Sequence, residues 1–60
     1  MKNEYRGEVW QDGMKVAVVS GRSYRVVNAE TARYAALYSM DGPVDVRHYE
    51  KKPTKRWKRV

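Results

Sequence analysis

The dipeptide Asp12-Gly13 constrains this chain more than any other feature. Tyr5 to Trp10 before it mixes β-formers with charges, and Met14 to Val19 after it alternates with β-branched residues. Asp-Gly between two such runs is the strongest short-range hairpin signal, because a two-residue type I′ turn needs positive φ at both centres. Two strands joined by a tight turn are therefore expected. In the second, Met14, Val16 and Val18 share one face, and Lys15, Ala17 and Val19 share the other. The apolar end of that second set implies burial on both sides there.

Beyond the hairpin, Ser20-Gly21-Arg22-Ser23 reads as another turn and Tyr24 to Val27 as a third strand. Asn28 suits a helix N-cap, and Glu30 suits the first turn, where negative charge complements the dipole. Ala29 to Met40 is Ala-rich, free of internal Gly and Pro, and reads as a helix. Asp41-Gly42-Pro43 ends it, with Gly42 available for a left-handed cap and Pro43 unable to continue. Val44 to Tyr49 alternates again as a fourth strand, and Pro53 breaks pairing just beyond it.

The predicted fold is therefore α+β, with a three- or four-stranded, mostly antiparallel sheet and one packed helix in the order β-β-β-α-β. Ala29, Ala32, Ala36 and Met40 cluster on one helix face with Leu37 at its border, and this face is expected against the sheet. Tyr34 and Tyr38 fall nearly opposite. Two topologies fit. A tight Asp12-Gly13 hairpin makes a three-strand meander, with the last strand parallel to its neighbour on an outer edge. An irregular N-terminal segment instead lets the last strand pair antiparallel with Met14 to Val19, as a β-β-α-β unit.

Charge divides the chain sharply. Its net charge is +6, yet residues 1–50 hold seven basic and all seven acidic side chains. The whole excess comes from Lys51, Lys52, Lys55, Arg56, Lys58 and Arg59. The expected organisation is a single small domain over residues 1–50 and a basic C-terminal arm over residues 51–60. Sixty residues make one domain at most, and such a chain buries only about 60% of its unfolded surface. With no Cys and one His, neither disulfides nor the usual zinc clusters are available, and no metal or other cofactor is expected. The longest apolar run, Val16 to Val19, is far short of the roughly 20 residues that span a bilayer. The opening Met1-Lys2-Asn3-Glu4 has no apolar signal core, so a cytoplasmic protein is expected.

Catalysis finds little footing. His48 shares a strand face with Val44 and Val46 and reads as half-buried beside the core. Asp45 and Arg47 lie on the opposite face of that strand. A general base needs an orienting partner and a nucleophile within reach, and no Ser or Thr stands in such a pattern. The four glycines build no phosphate loop. The expectation is a binding protein without catalytic residues.

The arm carries the clearest binding signal. Six cations in ten residues repel one another, so an extended free state is expected. Lys and Arg neutralise phosphates and release counterions. Trp57, among them, suits two roles: stacking on a base, or folding back over the small core with the cations on the rim. Arg25 and Arg47 extend the positive field if the last strand lies beside the third. The nucleic-acid-binding candidates are thus Lys51, Lys52, Lys55, Arg56, Trp57, Lys58, Arg59, Arg25 and Arg47. Trp10 reads as core or strand-edge packing. A second candidate patch, for protein, consists of Arg33, Tyr34, Tyr38 and Arg47, since Tyr and Arg are enriched at interface centres.

The stretch SYRVVNAETARYAALYSMDGPVDVRHYEKKP combines a strand, an Ala-Glu-Thr helix start, a short helix and a Val-x-Val-Arg strand. Over about half the chain it resembles the small phage proteins that inhibit bacterial RNA polymerase. In that family arginines on the last strand contact the polymerase, and Arg47 maps onto one of them. The resemblance implies a phage or mobile-element protein acting in the host cell cytoplasm. The leading expectation is a small basic protein that engages nucleic acid, or a host nucleic-acid-handling protein, through its arm. The alternative is an inhibitor of a host enzyme such as RNA polymerase, docked through Tyr34, Tyr38 and Arg47. A homodimer joined by edge strands is a further arrangement open to so small a chain.

Overall fold

Asp12 and Gly13 both take positive φ, 55° and 77°, in the computed structural model, which describes residues 3–60. Met1 and Lys2, on which the expectation about a signal segment partly falls, lie outside the described residues. The tight turn joins β1 (Glu4–Gln11) to β2 (Met14–Gly21), with Gln11 directly opposite Met14. Val9 faces Ala17 while Trp10 faces Lys15, so Val16 is the extra residue of a β-bulge. β3 (Asp45–Lys51) pairs antiparallel on the other side of β1, unbroken from Glu4↔Lys51 to Trp10↔Asp45. A two-residue strand, β4 (Lys58–Arg59), adds to β3. The antiparallel order is β2-β1-β3-β4, and α1 (Tyr24–Tyr38) packs on one face. The α+β fold with four strands and one packed helix is as expected, but the element order is β-β-α-β-β.

The difference begins at Tyr24 to Val27, which form the first turn of α1 and not a strand. Ser23, with extended backbone, is the N-cap. Its Oγ accepts from the Val26 N–H at 3.4 Å, and its carbonyl accepts from the Val27 N–H at 3.0 Å. Asn28, the expected cap, is exposed inside the helix. Local propensity disfavours Val in a helix by only about 0.5 kcal/mol, whereas burying its side chain contributes about 1.5–3 kcal/mol. Val27 is 2% exposed, so tertiary packing decides.

The helix also turns a different face inward. Ala29, Ala32, Ala36 and Met40 are exposed, as is Leu37. Val27 and Thr31 are buried, and Ala35 and Tyr38 are half-buried. The close approach comes from the strand and not from helical alanines. A Cβ built on Gly7 would overlap the Thr31 hydroxyl and lie 2.8 Å from Thr31 Cβ. Thr31 Oγ1 donates to the Val27 carbonyl at 2.7 Å, which satisfies the buried hydroxyl.

A 3₁₀ turn, Ser39–Asp41, follows α1 and ends at Gly42. Gly42 has φ 145° and ψ 178°, a conformation open to glycine but outside the left-handed helical well, so the left-handed helical cap does not form. Gln11 serves the helix end instead. Its Nε2 donates to the carbonyls of Tyr38 at 2.8 Å and Gly42 at 3.2 Å, tying the hairpin to the chain reversal.

Neither expected topology occurs as drawn. The hairpin is tight, yet the strand after the helix is antiparallel and next to β1. With a helix in place of the third strand, the chain after α1 runs antiparallel to β1 and parallel to β2, so β1 offers the antiparallel edge.

The arm is not extended. β3 runs through Lys51, and a turn follows in which the Lys55 N–H donates to the Lys52 carbonyl at 3.0 Å. Arg59 and Lys58 then pair with Tyr49 and Glu50, and the Val60 N–H donates to the His48 carbonyl at 2.8 Å. Backbone pairing along β3 thus offsets the repulsion among the cations. No helix among the described residues is long and apolar enough to cross a membrane.

Candidate nucleic-acid interface

Alternation along β1 separates two sets of side chains. Tyr5, Gly7, Val9 and Gln11 face α1: Tyr5 packs edge-on to Tyr24 at 5.5 Å, and Gly7 lies under Thr31. Glu4, Arg6, Glu8 and Trp10 therefore occupy the face that α1 leaves uncovered. Register adds their neighbours, because directly paired residues share a face. Tyr49 lies opposite Arg6, Arg47 opposite Glu8, Asp45 opposite Trp10, and Lys51 opposite Glu4. Lys15 lies opposite Trp10 on β2.

Glu8 is the centre of this open face, with its side chain 4% exposed. The Trp10 Nε1–H donates to its Oε1 at 2.9 Å. Arg6 Nε and Lys15 Nζ stand 3.2 and 3.4 Å from its Oε2. Burial pushes the Glu8 pKa up, but the Trp10 hydrogen bond, the charge and hydrogen bond of Lys15, and the charge of Arg6 outweigh it. The carboxyl titrates below its ordinary value. The Arg6 Nε–H is shielded from solvent without hydrogen-bond geometry, so its contact with Glu8 is Coulombic.

Around Glu8, cations and rings interleave. The Arg6 guanidinium lies 5.2 Å from the Tyr49 ring and 4.7 Å from the Trp57 ring. The Trp10 ring has Arg47 at 4.4 Å and Lys15 at 5.7 Å. These separations are within cation–π range. Arg47 Nε also donates to Asp45 Oδ2 at 2.9 Å, and that hydrogen bond is the main cause of its raised pKa. Trp57 reaches from the C-terminal turn across β3 and is half-buried, lining a shallow cleft with Glu4, Ser20, Gly21 and Arg22. Trp57 does fold back, but over the open sheet face beside Arg6 and not over the core between α1 and the sheet.

The arm borders this surface. Arg59 pairs with Tyr49 on the open side, and Lys58 pairs with Glu50 on the helix side. Lys52, Lys55, Arg56 and Lys58 line a concavity with Glu50. Lys51 and Arg47 lie on the open face, opposite Glu4 and Glu8.

Arg25 does not join it. It is exposed on α1, in the other layer, because Tyr24 to Val27 are helical. The four residues of the protein-directed patch are also separated. Arg33 and Tyr34 line a groove on the outer helix with Glu30 and Leu37. Tyr38 is half-buried on the sheet side, and Arg47 lies beyond the sheet. His48, its ring centroid 6.5 Å from that of Tyr24, is half-buried on the helix side.

Sequence reasoning missed Arg6, Glu8, Lys15 and Tyr49, and it read Trp10 as packing alone. The signal was the alternation in EYRGEVWQ, whose odd-numbered positions are the small and apolar set plus Gln11. Compared with family models, curated proteins and solved structures, the chain gives no match.

Proposed function

We propose that this protein binds nucleic acid on its open sheet face and C-terminal turn, and performs no chemistry on it. One observation carries the reading: Trp10, Tyr49 and Trp57 each lie against Arg6, Arg47 or Lys15 on a single uncovered sheet face. By register Lys51 and Arg59 lie on that face, and Lys52, Lys55, Arg56 and Lys58 line a concavity with Glu50 beside β3. Arg and Lys hold phosphates, and aromatic rings and guanidinium planes offer stacking surfaces to bases. Stacking requires unpaired bases, which favours single strands or loops over a duplex. Glu8 keeps Arg6, Lys15 and Trp10 in place without adding free negative charge to the face, since two cations meet its carboxylate.

The test is a titration of the Trp10 and Trp57 fluorescence with a single-stranded oligonucleotide at several salt concentrations. Expected is quenching, with a log–log salt slope of about −3 to −4 for roughly five phosphate contacts. Unchanged fluorescence at about 50 mM salt, where charge-driven binding is strongest, would sink the reading.

The second reading is a host protein that handles nucleic acid, with RNA polymerase as the member the sequence resemblance favours. Its support is Arg47, which Asp45 and Trp10 hold in place on the open face. A partner captured from bacterial lysate after nuclease treatment, and lost with Arg47→Ala, favours this reading.

A further inference from the structure

The outer side of α1 carries a seam, aliphatic at its ends and charged at its centre, that the fold leaves uncovered. On α1 Val26 is 54% exposed and Leu37 59%, and Met40 in the 3₁₀ turn that follows is 82% exposed, while the buried hydrophobic core among the described residues is Val9 and Val27. Val26, Glu30, Arg33 and Leu37 follow one another along α1 at intervals of four, three and four. This is the a/d spacing of a helix–helix seam. Glu30, Arg33, Tyr34 and Leu37 form a shallow groove of about 330 Å³ along it. Among the described residues the ion pairs are Arg6–Glu8, Lys15–Glu8 and Arg47–Asp45, so neither Glu30 nor Arg33 is paired with another described residue.

We infer that this seam is the contact for a second copy of the same chain, with the two helices antiparallel. The segment Val26–Glu30–Arg33–Leu37 reads the same in both directions: the spacing is symmetric, with aliphatic residues outside and opposite charges inside. A two-fold axis between residues 31 and 32 sets each Glu30 against Arg33 of the other copy, and each Val26 against Leu37. Such self-complementarity is what an isologous interface requires. An unrelated partner gives no reason for the charges to be placed symmetrically. The contact leaves both open sheet faces free. A single helix face falls below the standard interface of about 1,200 Å², so a weak, concentration-dependent dimer is expected.

The test is the mass of the full chain in solution, without nucleic acid, by sedimentation equilibrium from about 10 µM to about 1 mM. Omitting nucleic acid makes the outcome independent of the binding proposed above. The wild-type chain should pass from monomer to dimer across this range. Glu30→Arg and Arg33→Glu should each weaken self-association by about tenfold or more, because like charges then face each other. Mixed in equal amounts, the two variants should associate with each other, since every facing pair is again opposite in charge. That mixing step also guards against a variant that fails to fold. A wild-type chain still monomeric at about 1 mM overturns the proposal. So does a mixture that stays monomeric. A dimer that both charge reversals leave intact overturns it too, and places the contact elsewhere, such as the free edge of β2.

Discussion

Trp10 donates its indole N–H to Glu8 at 2.9 Å, so one strand supplies both the buried carboxylate and the ring that two cations flank. The two residues are two apart and share a face of β1. Glu8 also draws Arg6 and Lys15 to 3.2 and 3.4 Å. A single acid thereby orders Arg6, Lys15 and the Trp10 ring on the open face.

Acid should loosen this arrangement. The folded-state pKa of Glu8 is depressed below its ordinary value of 4.5. Its contribution to stability is therefore present above about pH 4.5 and is lost as pH falls through the folded pKa. Glu8→Gln keeps the shape but loses both ion pairs, and should cost about 1–2 kcal/mol at pH 7. The thermal midpoint of the wild-type chain should fall on acidification below pH 4.5 more steeply than that of the variant. Parallel curves would remove Glu8 from its central role.

Gly7→Ala tests the seat of the helix. The added methyl meets the Thr31 side chain, and overpacking of this kind costs about 1–3 kcal/mol or more. Thr31→Ala removes the overlapping hydroxyl and methyl. The double variant should thus lose less stability in urea than the sum of the two single variants. Additive losses would mean that α1 does not rest on β1 at this point.

How much was legible follows from where each decision is made. Asp12-Gly13 fixes its hairpin locally, whereas the helix end at Tyr38 is met by Gln11 from the hairpin and not by a Gly42 cap. The helix start was hidden, because Tyr24, Val26 and Val27 favour a strand until Val27 is needed in the core. The inward face was hidden too. Both Val27/Thr31/Ala35/Tyr38 and Ala29/Ala32/Ala36/Met40 have helical spacing and small or apolar members, and Gly7, far away in sequence, decides between them. β4 has two residues and no pattern of its own. In the candidate site, Arg47 and the arm stood out by charge. Arg6, Glu8 and Tyr49 become a cluster only once the register sets Arg6 against Tyr49 and Glu8 against Arg47.

Ser23→Ala and Asn28→Ala separate the two candidate helix starts. Ser23 caps the Val26 N–H, so its loss should cost about 1 kcal/mol in chemical unfolding. Asn28 is exposed within the helix, where Ala is the better helix former, so its replacement should leave stability unchanged or raise it by about 0.5 kcal/mol. The reverse ranking would return the helix start to Asn28.

Trp57 and Lys55 should affect oligonucleotide binding in different ways. Trp57 lies over Arg6 with its ring on the open face, so Trp57→Ala should weaken single-strand binding roughly tenfold by removing a stacking surface. Its charge is unchanged, so the salt slope should stay the same. Lys55 belongs to the cationic concavity of the C-terminal turn. Lys55→Ala should flatten the log–log slope by about 0.7, one phosphate contact on a single strand, and weaken all sequences alike. Affinity measured at several salt concentrations for both variants distinguishes the two effects. If Trp57→Ala binds as tightly as the wild-type chain, the indole serves only to hold the arm against Arg6. The rings then lose their place in recognition, and charge alone remains.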